Sequence, residues 1–144
     1  MSNRILVPYD GSDGAQRALA YAEQLARCQS DSLYLLAVVE WRVFGIQNPM
    51  QFADSQAETA AEIGRLRNDV IAPTVDRLRA ADIDADGSVE GGSVTATVLD
   101  VAGRLPASHI VVGRRGGSRL SKLLLGSTSS ALVQSADVPV TVVP

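Results

Sequence analysis

The chain has little of the material from which reactive centres are usually built. Its 144 residues hold one cysteine, Cys28, and one histidine, His109. A lone cysteine cannot close an intramolecular disulfide, which excludes a disulfide-stapled extracellular scaffold. One Cys and one His cannot supply a structural zinc site, which takes about four such ligands. Nor do they point to a Ser-His-Asp or Cys-His arrangement. Cys28 is expected inside a helix as a buried thiol, and His109 at the opening of a strand rather than as a catalyst. No apolar run approaches the ~20 residues that span a bilayer, so no membrane-crossing helix is expected. The opening MSNRILVPYDGS carries one Arg and a short apolar stretch cut off by Pro8 and Asp10. It does not read as a signal peptide, and a cytoplasmic protein is expected. A basic excess is also missing. Thirteen Lys and Arg against sixteen Asp and Glu give a net charge of −3, which argues against a general nucleic-acid binder.

What is present is ample apolar material, 46% of residues, in a length that suits one domain spanning 1–144. Five short apolar runs stand out: Ile5–Tyr9, Leu33–Val39, a weaker one at Ile83–Val89, His109–Val112 and Val138–Val143. The first, second and fifth are continuous rather than alternating, as in strands buried on both faces of a parallel sheet. Helical patterns lie between them. Ala15, Ala18, Leu19, Ala22, Leu25 and Ala26 follow a 3/4 spacing, with Asp13 and Gln16 as an N-terminal cap pair. A segment from about Gln56 to Ala81 carries Ile63, Leu66, Val70, Ile71 and Leu78 on one stripe, with Pro73 expected to kink or split it. Val94, Val98, Val101, Ala102 and Leu105 form another stripe opened by Ser93, and a short helix is expected from Ser127. Strand and helix alternate, which predicts an α/β fold: a parallel sheet with helices on both faces, joined by right-handed crossovers.

In such sheets ligands bind beyond the carboxyl ends of the strands. Two segments there look specialised. Pro8-Tyr9-Asp10-Gly11-Ser12 leaves the first strand. Its Asp10 can accept from a sugar hydroxyl or hold a metal, or Asp10 and Ser12 can simply cap the following helix. The second runs from Gly113 to Ser130, directly after the fourth strand. It mixes glycines and hydroxyl residues with four cations, Arg114, Arg115, Arg119 and Lys122, and no acid. Glycines let backbone N–H groups approach an anion, and Gly126-Ser127-Thr128 opens a helix whose N-terminus attracts one. The stretch reads as a phosphate cradle or, failing that, as a solvated basic loop. It is not a Walker A loop: counted from Gly117, Lys122 stands where the second glycine is required. Trp41–Phe52, after the second strand, could cover a base, or serve local packing against the second helix or a subunit contact.

Gly113, Gly116, Gly126 and Ser127 fit the pattern G-x2-G-x9-G-[ST]. Together with the opening Ile5–Ser12 and the closing Pro139–Val143, this resembles the universal stress protein family, and within it the ATP-binding branch. The resemblance covers the whole chain. It implies a Rossmann-like five-stranded parallel sheet of order 3-2-1-4-5, which sets the first and fourth strands side by side and brings both specialised segments over one crevice. It further implies that Asp10 binds the ribose, that Pro8 and Tyr9 line the base pocket, and that the backbone of Val38 meets the adenine edge. Val112 and Gly113 would lie under the ribose and phosphates. Gly116, Gly126, Ser127, Thr128 and Ser129 would hold the phosphates, with Arg114 and Arg115 in the motif's variable positions. Arg114 and the bulky Tyr9 depart from the usual residues at their positions.

The cofactor implied is ATP, with Mg2+ or Mn2+ on the phosphates. The implied partners are an adenine nucleotide and a second copy of the chain, paired through Val138–Val143, with a downstream protein partner unknown and neither nucleic acid nor membrane. The implied function is a nucleotide-binding stress-response or signalling module. Two alternatives stand beside it: a slow ATPase or phosphoryl or nucleotidyl transferase, and an anion- or protein-docking module that takes no nucleotide.

Overall fold

The computed structural model of the chain describes residues 3–41, 46–114 and 126–144. Five strands form one sheet: β1 (Arg4–Pro8), β2 (Ser32–Val39), β3 (Ala85–Gly91), β4 (His109–Gly113) and β5 (Val140–Val143). Their order is β3-β2-β1-β4-β5 and every pairing is parallel. The helices are α1 (Asp13–Gln29), α2 (Pro49–Leu66), α3 (Ala72–Ala80), α4 (Val94–Arg104) and α5 (Ser127–Ser135). The expected α/β class and strand order are both found.

The continuous apolar strands feed two layers because successive side chains point to opposite faces. Ile5, Val7, Leu33, Leu35, Ala37 and Val111 meet the apolar stripe of α1 and the inner faces of α2 and α3. Leu6, Leu36, Ile110 and Val112 meet Val98, Val101 and Ala102 of α4 and Leu132 of α5. Ile5, Leu6, Val7, Leu35 and Ile110 are completely buried.

Element boundaries depart from expectation for local reasons. The cap of α1 is Ser12, whose hydroxyl accepts from the Ala15 N–H, so Asp13 is already helical. Cys28 is exposed, not buried. It lies two residues past Ala26, about 200° around the helix from the inward stripe. The second helix begins earlier than Gln56, at Pro49, with Asn48 accepting from the Gln51 N–H as its cap. Asn followed by Pro at the first helical position is a start signal. Pro73 does not break the long segment. A π turn, Arg67–Ile71, precedes it, and the Ala72 N–H reaches back five residues to the Arg67 carbonyl. That wider turn makes room for a ring that would crowd the carbonyl four residues earlier. β3 starts at Ala85, because the Ile83 N–H is committed to the Leu78 carbonyl at the helix end. β5 starts at Val140, since Pro139 has no N–H for the ladder, although its carbonyl accepts from Ile110.

Candidate functional site

The crevice lies beyond the carboxyl ends of β1 and β4, where the strand order reverses. β4 approaches α1 here unusually closely. A Cβ on Gly113 would stand 2.8 Å from the Gly14 carbonyl oxygen, so only glycine fits at the strand end. The Gly113 carbonyl in turn accepts from the Ser129 hydroxyl at 2.6 Å. Ser129 is 2% exposed, and its hydroxyl is spent on fixing α5 to β4. Arg114 completes the junction. Its N–H donates to the Val143 carbonyl at 2.7 Å, and its carbonyl accepts from the Gly126 N–H at 2.8 Å. Three elements, β4, β5 and α5, are thereby pinned within two residues of the crevice.

The start of α5 is open. Gly126 occupies the cap position and, among the described residues, no side chain caps the first turn, unlike α1 and α2. Its leading N–H groups, with Ser127 and Thr128 among the first residues, have no side-chain cap among the described residues and lie at the positive end of a helix. Arg115 and Gly116, like Arg119 and Lys122, lie outside the described residues.

On the β1 side, Asp10 is exposed and one of its carboxylate oxygens accepts from the Ser12 N–H at 2.9 Å. It therefore shapes the turn into α1, and its other oxygen remains available to a ligand. Tyr9 is placed elsewhere. Its side chain is 8% exposed within the core layer of α1 and α3. Pro8 ends β1 and is half-buried. Val112 is buried beneath the crevice in the opposite layer.

Val38 lies past the point where β1 stops. The β1–β2 register ends at Pro8 opposite Leu36, and the Leu36 carbonyl accepts from the Tyr9 N–H. Backbone groups alternate sides along a strand. Val38, two residues on, therefore directs its N–H and C=O toward the space β1 has vacated. That space is a cleft of about 900 Å3 lined by Asp10, Val38, Val39, Glu40, Trp41 and Val94, with the Ser55, Glu58, Thr59 and Glu62 face of α2 as its far wall. Such a volume suits a small-molecule ligand.

The charge distribution divides the crevice. The cleft carries Asp10, Glu40, Glu58 and Glu62, with Arg65 as the cation at its wall. Glu62 is tied to Arg65 by two hydrogen bonds of 3.0 and 2.7 Å, which hold its carboxyl below the ordinary value. The junction side presents Arg114 and the start of α5. An anion is favoured at the junction and an uncharged, donor-bearing group in the cleft. The α2 wall and Glu40 were not anticipated from the sequence. The 3/4 spacing of Ser55, Glu58, Thr59 and Glu62, which runs on to Leu66 on the same face, was the available signal. Of Trp41–Phe52, residues 42–45 lie outside the described residues, Trp41 lines the cleft, and Pro49–Phe52 belong to α2. His109 stands at the other end of β4, four residues or about 13 Å from Gly113.

The universal stress protein family model matches residues 1–144. The chain belongs to that family. Universal stress protein YxiE of Bacillus subtilis is 29% identical over 150 residues, with 99% of this chain and 99% of YxiE covered. The structure of universal stress protein UspA from Lactobacillus plantarum matches with a TM-score of 0.83 at 26% identity, covering 99% of this chain and 97% of that one. Two more distant members of the family share the fold and were solved with nucleotides. One, in complex with cAMP, has a TM-score of 0.69 at 23% identity, with 99% and 97% coverage. The other, from Archaeoglobus fulgidus in complex with dAMP, has a TM-score of 0.61 at 18% identity, with 100% and 98% coverage.

Proposed function

We propose that this universal stress protein binds an adenine nucleotide, ATP, across the crevice and acts as a cytoplasmic stress-response or signalling module. The observation that carries the reading is the pairing of an open, uncapped helix start at Gly126–Thr128 with a strand end, Val38, whose N–H and C=O are free of β1. An adenine edge offers a ring nitrogen to accept and an exocyclic amine to donate, and one backbone N–H and C=O suit it. Guanine presents a carbonyl and a ring N–H there, which puts acceptor against acceptor. Asp10 takes the ribose hydroxyls, and the phosphates lie on the leading N–H groups of α5. The cAMP and dAMP complexes of related proteins support an adenine ligand.

Ser129 and Gly113 position this site rather than touch the phosphates through their side chains. A divalent ion, Mg2+ or Mn2+, fits as a companion of the phosphates. Among the described residues no three His, Cys, Asp or Glu converge to hold a metal. When bound there it would offset phosphate charge.

The test is thermal unfolding with Mg2+ and, separately, ATP, ADP, AMP, cAMP and GTP at millimolar excess. A ligand at about 100 times its Kd stabilises by about 2.7 kcal/mol, several degrees for a chain of this size. ATP is expected to raise Tm well above GTP. Equal shifts for the two, or none, would overturn the adenine reading.

A further inference from the structure

The π turn at Arg67–Ile71 does more than accommodate Pro73. Such turns are rare and recur beside functional sites. This one joins α2, whose Ser55, Glu58, Thr59 and Glu62 wall the cleft, to α3. Because it is wider than an α turn, Leu66 and Ile71 are both buried on the inward side although five positions apart. Ile71 lies against β3, where a Cβ on Gly87 would stand 2.8 Å from Ile71 Cγ2. Val70, beside it, is half-buried and reaches the loop between β1 and α1. A Cβ on Gly11 would stand 3.4 Å from Val70 Cγ1 and 3.8 Å from Val70 Cγ2. The Val70 backbone is tied as well, since its carbonyl accepts from the Thr74 hydroxyl at 2.7 Å.

Gly11 is the middle residue of the turn that carries Asp10. Its φ is +83°, a conformation that suits glycine, and the Asp10 carboxylate spans it to accept from the Ser12 N–H. Asp10 is exposed and Gly11 half-buried, so burial of their own atoms does not fix them. Two outside contacts do. Gln16 Nε2 donates to the Gly11 carbonyl at 2.9 Å from α1, and Val70 packs on Gly11 from the π turn. We propose that Val70 is a positioning residue of the nucleotide site: through the π turn it holds Gly11 so that the second carboxylate oxygen of Asp10 meets the ribose hydroxyls. This inference rests on the nucleotide reading above. It adds that recognition of the sugar, apart from base and phosphates, depends on the junction of α2 and α3.

Val70→Ala removes both carbons that reach Gly11, at a half-buried position, and Val70→Thr restores the branched shape. In ligand-free, isotope-labelled protein the Ser12 amide resonance reads the bond to Asp10. In Val70→Ala it is expected to move toward its position in Asp10→Ala, and in Val70→Thr to stay with the parent. Calorimetric titration with ATP and with 2′,3′-dideoxy-ATP, which lacks both ribose hydroxyls, reads the sugar contact. The parent is expected to favour ATP about tenfold or more, as a hydrogen bond to a charged group gives. In Val70→Ala that ratio is expected to fall to about threefold or less, while the affinity for dideoxy-ATP changes by less than about twofold. Val70→Thr is expected to keep the parent ratio. Equal losses for the two ligands in Val70→Ala would overturn the proposal, since loosened packing alone would lower both. So would an unmoved Ser12 resonance, or a Val70→Thr protein that behaves like Val70→Ala. A parent that binds ATP and dideoxy-ATP equally would overturn the ribose role of Asp10 and this inference with it. A parent that binds neither would instead overturn the nucleotide reading itself.

Discussion

At the scale of single residues, the same chemistry can be read from sequence only where the side chain's job is local. Asp10 and Ser12 shape the turn into α1, one of the two roles their positions allowed. Ser129 sits in a phosphate-like motif, yet its hydroxyl is bonded to a carbonyl sixteen residues earlier, which no spacing rule reveals. The family resemblance implies a base-pocket role for Tyr9, whereas its side chain packs in the core layer of α1 and α3. His109 reads as a strand-opening residue and is one. It is half-buried, with Nε2 2.6 Å from the Thr141 hydroxyl, and burial pushes its pKa below the ordinary value, partly offset by Asp31. The sign follows from linkage. The folded state disfavours the charged ring, so the unfolded chain binds more protons once pH falls toward about 6.5, and stability drops on acidification. Urea midpoints are expected to fall as pH is lowered from about 7.5 to 6. His109→Gln should flatten that slope; an unaltered slope would assign it to other groups.

At the scale of elements, apolar runs announced all five strands, the first, second and fifth as continuous runs and the third only weakly, and the 3/4 stripes announced the helices. Boundaries were less legible because they depend on partners distant in sequence or on backbone bonding: Ile83 caps a helix end, and the π turn ahead of Pro73 lets the long segment continue. The close approach of β4 to α1 was also invisible, since it brings Gly113 against the backbone of Gly14 across 99 positions. It yields a paired prediction. Gly113→Ala drives a Cβ into the Gly14 backbone and should cost about 1–3 kcal/mol. Ser129→Ala leaves the buried Gly113 carbonyl without its partner and should cost about 1–3 kcal/mol as well. Both losses are read from urea unfolding. If neither variant is destabilised, the junction is looser than the structure describes.

At the scale of the whole molecule, β5 forms one edge of the sheet, and Val140, Thr141, Val142 and Val143 are all partly exposed along it. An apolar edge strand is a template for pairing, and a twofold partner would cover it. The parent is expected to sediment at twice the chain mass at micromolar concentration, and Val142→Lys as a single chain. A parent that sediments as one chain would refute the pairing through β5. At the other end of the sheet an acidic cleft lies apart from a cationic junction, the arrangement proposed to orient one nucleotide. Its most direct test is a titration of isotope-labelled protein with Mg2+ and ATP, followed by backbone amide resonances. The account predicts changes concentrated at Asp10–Ser12, Val38–Trp41, Gly113–Arg114 and Gly126–Ser130. Amides unmoved at millimolar ATP, or changes centred on β5 and the His109 end of the sheet, would contradict it.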